Sequence, residues 1–176
     1  MSEPAISKLV SRSELRSYMN VAAAGTAAAQ YELIGEGFTS LTEAKNPKEY
    51  SRQYIHEKTE RTDVVGYAPS LDYSVDIYTN NPVIKRIREI TDKELIGSDA
   101  QVSIVTVEMF SDGAFDKTKC VAYERKYAVI PDSKGDGVEA LVYSGTFKAV
   151  GDIVPGTFNV DTKAFTAETA EATQAT

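Results

Sequence analysis

Between Leu71 and Thr79 the chain alternates cleanly, with Leu71, Tyr73, Val75 and Ile77 set against Asp72, Ser74 and Asp76. A helix with 3.6 residues per turn would scatter these apolar groups around its axis. A strand sorts them into one dry face and one wet face. Strands of that kind belong to antiparallel sheets packed on one side. Other segments follow the same logic. Residues 101–110 hold Val102, Ile104, Val105, Val107, Met109 and Phe110, so apolar groups point both ways and the strand is covered on both faces. Residues 119–130 and 138–150 read as two more strands, joined by a turn over residues 131–137 that is dense in Pro, Asp, Ser and Gly. Residues 157–166 read as a small hairpin about Asp161-Thr162-Lys163, and residues 31–35 as the strand that opens the sheet. The expected fold is mainly β, an antiparallel β-sandwich or half-barrel with one flanking α-helix.

That helix begins at Asn80-Asn81-Pro82, where Asn serves as N-cap and Pro sits where a missing N–H costs nothing. Val83, Ile84, Ile87 and Ile90 share a face. Gly97 is a terminator, and Thr91–Glu94 also fits a capping box that stops the first helix near Asp92. The helix is set at residues 82–95. Residues 1–30 are expected to be an N-terminal arm, with a short helix over 7–20 and an alanine-rich linker over 21–29 broken by Gly25 and Thr26. The β domain spans 31–166. Residues 167–176 contain only Ala, Thr, Glu and Gln, which predicts a disordered tail.

Residues 42–65 depart from this pattern. They are crowded with charge, and Tyr50, Tyr54, Ile55, Val64 and Val65 are their only sizeable apolar groups. A polar loop this long is uncommon in a compact domain. It reads either as a solvated polar hairpin or as a segment that docks on another subunit, where Tyr and Arg are favoured contacts. Tyr50, Arg52, Tyr54 and His56 are the candidate contact residues.

The chemistry of enzymes is poorly provided for. Cys120 and His56 are the only residues of their types, which excludes an intramolecular disulfide framework and a cysteine zinc site. Cys120 fits a buried inert thiol better than a nucleophile. Asp132 to Gly137 superficially resembles a calcium loop, but Lys134 takes a ligand position and Tyr143 stands where a bidentate Glu is needed. Asp72 and Asp76 lie roughly 13 Å apart along one strand with no cleft marked between them, so a solvated face explains them better than glycoside hydrolysis. No catalytic, cofactor-binding or metal site is assigned. The net charge of −7 argues against holding nucleic acid by phosphate neutralisation, though not against letting it pass. No apolar run is long enough to span a membrane, and no signal-peptide core is present, so a soluble protein of a reducing compartment is expected.

The string from Gly66-Tyr67-Ala68-Pro69 through Asp72-Tyr73-Ser74 to Thr79-Asn80-Asn81-Pro82-Val83 resembles a pattern of major tail tube proteins of tailed bacteriophages. Glu94-Leu95-Ile96-Gly97-Ser98-Asp99-Ala100, and the closing Pro155-Gly156-Thr157-Phe158-Asn159 with Asp161-Thr162-Lys163-Ala164-Phe165-Thr166, carry the resemblance further. It covers roughly residues 31–166, and its motifs are structural.

The resemblance implies hexameric rings stacked into a tail tube, non-contractile in type. It implies a tape measure protein inside, tail terminator and distal tail proteins at the ends, and DNA passing the lumen without specific binding. It also implies a place in the virion tail after synthesis in the host bacterial cytoplasm. Asp72, Ser74 and Asp76 are then candidates to line the lumen, and residues 42–65 to bridge rings. The competing reading is a monomeric β-sandwich module that binds a ligand or a receptor.

Overall fold

The computed structural model describes residues 7–26 and 28–168. Its strands are β1 (Leu15–Asn20), β2 (Tyr31–Ile34), β3 (Phe38–Ala44), β4 (Pro47–Arg52), β5 (Arg61–Tyr67), β6 (Ser70–Asp76), β7 (Gln101–Glu108), β8 (Cys120–Asp136), β9 (Val142–Ala149), β10 (Val154–Asn159) and β11 (Ala164–Ala167). One α-helix, α1 (Pro82–Asp92), lies between β6 and β7. The protein is mainly β, an antiparallel half-barrel sheet with a single helix.

The main sheet runs β2-β1-β7-β8-β9-β6-β3. β8 is its spine. One edge pairs with β7, from Gln101↔Ala128 to Val107↔Ala122. The other edge is shared: β10 takes Cys120 to Glu124, and β9 takes Tyr127 to Asp136. The sheet thereby divides into two curled halves, each with its own core.

In the first core α1 lays Val83, Ile84, Ile87 and Ile90 against Leu71, Tyr73 and Val75 of β6, Tyr143 and Phe147 of β9, and Met19 of β1. Full burial of each such aliphatic side chain contributes about 1.5–3 kcal/mol. The helix starts because Asn81 Oδ1 accepts from the amides of Val83 (3.0 Å) and Ile84 (3.2 Å). Arg86, though buried, donates to Glu89 Oε2 at 3.2 Å and to the Asp99 carbonyl at 2.9 Å, tying the following 3-10 turn (Gly97–Ala100) to the helix. The second core gathers Tyr18, Tyr31, Val105, Val107, Cys120, Ala122 and Phe158. Phe158 meets Tyr18 and Tyr31 at ring-centroid distances of 4.5 and 6.0 Å.

The structure corrects several expectations. Residues 15–20 are not helix or arm: they form β1, paired with both β2 and β7. The reason is that Tyr18 faces one core and Met19 the other, so burial is continuous and the period-2 signature vanishes. The helix ends at Asp92, not at 95. Glu94 turns to φ 51°, and the amide of Leu95 reaches back to the Ile90 carbonyl at 3.1 Å, a tight helix-ending turn. Residues 131–136 are not a turn but the last part of β8. Two register irregularities, at Pro131/Ser133 and Lys134/Asp136, absorb the proline and the positive-φ Gly135 while pairing with β9 continues. Residues 42–65 are not a loop but, as the hairpin alternative had it, a solvated polar hairpin: they contain the end of β3, all of β4 and most of β5. The expected tail begins one residue too early, since Ala167 closes β11; residues 169–176 lie outside the described residues.

Candidate assembly surfaces

Three surfaces are open on the described residues. The first is the wet face of the β3-β6-β9-β8 sheet. Leu71, Tyr73 and Val75 point into the core, which turns Asp72, Ser74 and Asp76 together to the opposite side; Asp72 is exposed and the other two are half-buried. Register then brings more hydroxyls alongside. Ser74 lies between Ser40 of β3 and Ser144 of β9, and Ser144 lies beside Ser133 of β8. Thr42 and Thr146 flank Asp72 in the same way. Ser133 and Ser144 share a hydrogen bond at 2.7 Å, and Thr146 Oγ1 donates to Asp72 Oδ1 at 2.7 Å. The result is cross-strand rows of short polar side chains. Lys148, opposite Ser70, stands at one end of the face and Asp76 at the other. The hydroxyl rows escaped the sequence reading because they depend on register across four strands, although the alternation of Tyr143, Gly145 and Phe147 with Ser144 and Thr146 was a usable signal.

Close packing supports this face from beneath. A Cβ on Gly145 would lie 2.6 Å from both the Ile130 carbonyl and Tyr73 Oη, so only glycine fits between β8 and the Tyr73 ring. Burial, with Asp132 nearby, pushes the Tyr73 hydroxyl up to about 12.

The second surface is an arm. Among the described residues β4 and β5 pair only with each other, and every residue of both strands except Gly66 is exposed. The arm continues the β3–β6 hairpin past a break. The β3–β6 ladder ends at Ala44↔Ser70 and the arm ladder begins at Pro47↔Tyr67. Asn46 bridges the gap at φ 45°: its carbonyl accepts from the Ala68 amide at 3.2 Å, and its side chain donates to the Ala68 carbonyl at 3.1 Å.

On β4, Tyr50 and Arg52 share a face, with the Arg52 guanidinium 5.2 Å from the Tyr50 ring centroid. Tyr54 and His56 stack at the tip, 6.1 Å apart and 22° from parallel. Thus the four candidate contact residues form two separate pairs rather than one cluster. The sequence did not disclose Glu57, which pairs with Arg61 and lies 3.8 Å from His56.

The third surface comprises the outer edges of β2 and β3, the terminal strands of the main path, which have no pairing partner among the described residues. Unpaired edges of this kind are templates for another strand.

The remaining candidates for chemistry stay apart. Cys120 is buried in the second core, its thiol pushed up by burial and by Asp116, whereas His56 stands on the exposed arm tip. Asp92, at the helix end, accepts from Lys134 at 2.7 Å and from the buried Tyr143 hydroxyl at 3.0 Å. These bonds hold its carboxyl below the usual range, the Lys134 bond contributing most. This cluster fastens α1 to β8 and β9.

No family model matches the chain, and no curated protein matches it. Ten chains of solved structures do. One belongs to the anti-feeding prophage baseplate, determined by cryo-electron microscopy with six-fold symmetrisation. It is 10% identical, the match covers 88% of this chain and 97% of that one, and the TM-score is 0.48.

Proposed function

We propose that the protein is a virion structural protein that self-assembles as stacked hexameric rings into the tail tube of a bacteriophage, and that its role is architectural rather than enzymatic. The observation that carries this reading is the arm, a paired β-hairpin with no core of its own, on a chain whose motifs resemble those of tail tube proteins. An isolated two-stranded hairpin is marginal in water, so an arm that displays tyrosines and valines needs a partner. The open edges of β2 and β3 supply a second means of association, because pairing between subunits removes an exposed ladder. In this reading the hydroxyl face with Asp72, Ser74 and Asp76 lines the lumen. Carboxylates there repel phosphate, and short neutral side chains offer it few cations, so DNA slides past. The tape measure protein fills the lumen before ejection, and terminator and distal tail proteins close the ends.

The test is electron microscopy and light scattering of the purified chain across concentration and salt. Rings or tubes are expected. A species that stays monomeric in every condition would refute the proposal and favour a monomeric binding module. Replacing residues 47–67 by a short Gly/Ser turn leaves the sheet and α1 folded and stops polymerisation. Long tubes from the shortened chain would remove the arm from the assembly.

A further inference from the structure

β8 changes neighbour between Glu124, the last residue it shares with β10, and Tyr127, the first it shares with β9. A cavity of about 220 Å³ opens at this fork. Its floor is a strand face. Tyr123, Arg125 and Tyr127 follow at every second residue of β8, and Thr106 and Glu108 do so on β7. Register sets Tyr123 opposite Thr106 and Arg125 opposite Ile104. Arg125 and Glu108 therefore stand four residue steps apart along the pair, roughly 13 Å. Leu15 and Ile153 add apolar walls.

The charged groups of the cavity are two carboxylates and two cations. Glu43 and Lys45 bond to each other at 2.6 Å. Arg125 and Glu108 have no ion-pair partner among the described residues, nor does the exposed Asp152 beside Ile153. Such a balance suits neither a polyanion nor a polycation. Tyr127 is 4% exposed, yet its hydroxyl makes no hydrogen bond among the described residues, unlike those of Tyr31 and Tyr143. Burial, with Glu43 nearby, pushes it up to about 12, so it remains a neutral donor.

The size and spacing select a class of ligand. Small-molecule pockets span roughly 300–1,000 Å³, and this one holds a side chain. The unpaired charges at its two ends are too far apart for one free amino acid. An extended peptide, however, turns every second side chain the same way, with a repeat of roughly 6.8 Å. That is the repeat of the floor itself.

We infer that this cavity docks an extended segment of another protein, one that carries an acidic, an apolar and a basic side chain at alternate positions. Arg125 takes the carboxylate through its planar fork. The apolar side chain enters between Tyr123, Tyr127 and Ile153, and Glu108 takes the cation. The Tyr127 hydroxyl donates to a carbonyl of the segment. The site lies on the core side of the sheet, opposite the Asp72 face, and its assignment does not depend on self-assembly.

The probe is the blocked peptide acetyl-Glu-Thr-Leu-Thr-Lys-amide, titrated into the full-length, unassembled chain and followed by heteronuclear NMR. Saturable shifts are expected at the amides of β7 and β8 around the cavity. Arg125→Gln and Glu108→Gln should each weaken binding roughly tenfold, the factor carried by 1.4 kcal/mol. Exchanging the peptide's Glu for Gln should weaken binding to the wild-type chain but add little to the loss in Arg125→Gln, because one contact is removed twice. Tyr127→Phe deletes an oxygen that bonds nothing in the fold, and should weaken binding roughly fivefold, as loss of one hydrogen bond does. Circular dichroism with thermal melting checks that each variant folds.

Absence of saturable binding to the wild-type chain would overturn the site. So would binding that is indifferent to Arg125→Gln and Glu108→Gln, or losses that simply add in the Arg125 cycle. A peptide that binds the single chain but is shut out of assembled tubes would give the cavity to a second copy, and overturn its assignment to another protein.

Discussion

Tyr73 gives the sharpest handle on how the hydroxyl face is supported. Its ring is 3% exposed and packs on Phe147 at 4.6 Å between centroids. Its hydroxyl oxygen is buried with no hydrogen-bond partner among the described residues. An unsatisfied buried polar group costs about 1–3 kcal/mol. Tyr73→Phe keeps the ring and deletes the orphan oxygen, so it should stabilise the protein by about that amount, equivalent to a rise in Tm of roughly 2–12 °C for a chain of this length. Gly145→Ala supplies the second arm of a cycle. Its new Cβ would meet Tyr73 Oη and the Ile130 carbonyl, each at 2.6 Å, and overpacking of this kind costs about 1–3 kcal/mol. With the phenylalanine in place the hydroxyl clash is gone, although ring Cζ at 2.9 Å and the Ile130 carbonyl remain, so the double variant should lose somewhat less than the single effects add up to. Urea unfolding at concentrations below assembly, followed by circular dichroism, measures all four corners. A fall in Tm for Tyr73→Phe would show that the hydroxyl has a partner. Additivity within about 0.3–0.5 kcal/mol would show that the Tyr73 hydroxyl is not what excludes a side chain at position 145.

Asp72→Lys with Asp76→Lys replaces a negative by a positive charge at each site, a net change of +2 per substitution, and takes the chain from −7 to −3. Particles with normal tails by microscopy should then eject DNA more slowly, and added salt should shrink the defect; unchanged ejection would refute the charge role. Asn81→Ala removes the acceptor for two helix amides and should cost about 1 kcal/mol in urea unfolding, with the sheet signal unchanged. Asp92 has its folded-state pKa lowered, chiefly by Lys134 and next by Tyr143. Its contribution is therefore present above the ordinary carboxylate range and lost as pH falls through the lowered value. Asp92→Asn should flatten the acid limb of a stability-against-pH curve, and an unchanged limb would remove Asp92 from it.

The parts of the fold legible in the sequence were those where one physical requirement acts alone. β6 was plain because one face is dry and the other wet, and α1 was plain at its start because Asn81 and Pro82 meet the needs of a first turn. β1 was hidden by burial on both faces: Leu15, Tyr18 and Met19 serve different neighbours, and their spacing mimics a loose helical stripe. The end of β8 was hidden by bulges, which admit the Pro and Gly that elsewhere mark turns. The arm was readable as a polar hairpin, but its strand bounds were hidden because both of its faces are wet, so no apolar period was required. Of the candidate surfaces, the Asp72 face could be read from alternation, but its hydroxyl neighbours belong to strands far away in the chain.

The pairing of β1 with β7 has a consequence for synthesis on the ribosome. Leu15 waits for Glu108, and at 5–20 residues per second that is a delay of about 5–20 s. Meanwhile Tyr18 has only Tyr31 of its core for cover, since Val105, Val107, Cys120, Ala122 and Phe158 are still unmade. The nascent chain therefore carries β1 without its β7 partner through about half of its translation, and crowding of ribosomes on one message would bring many such open strands together.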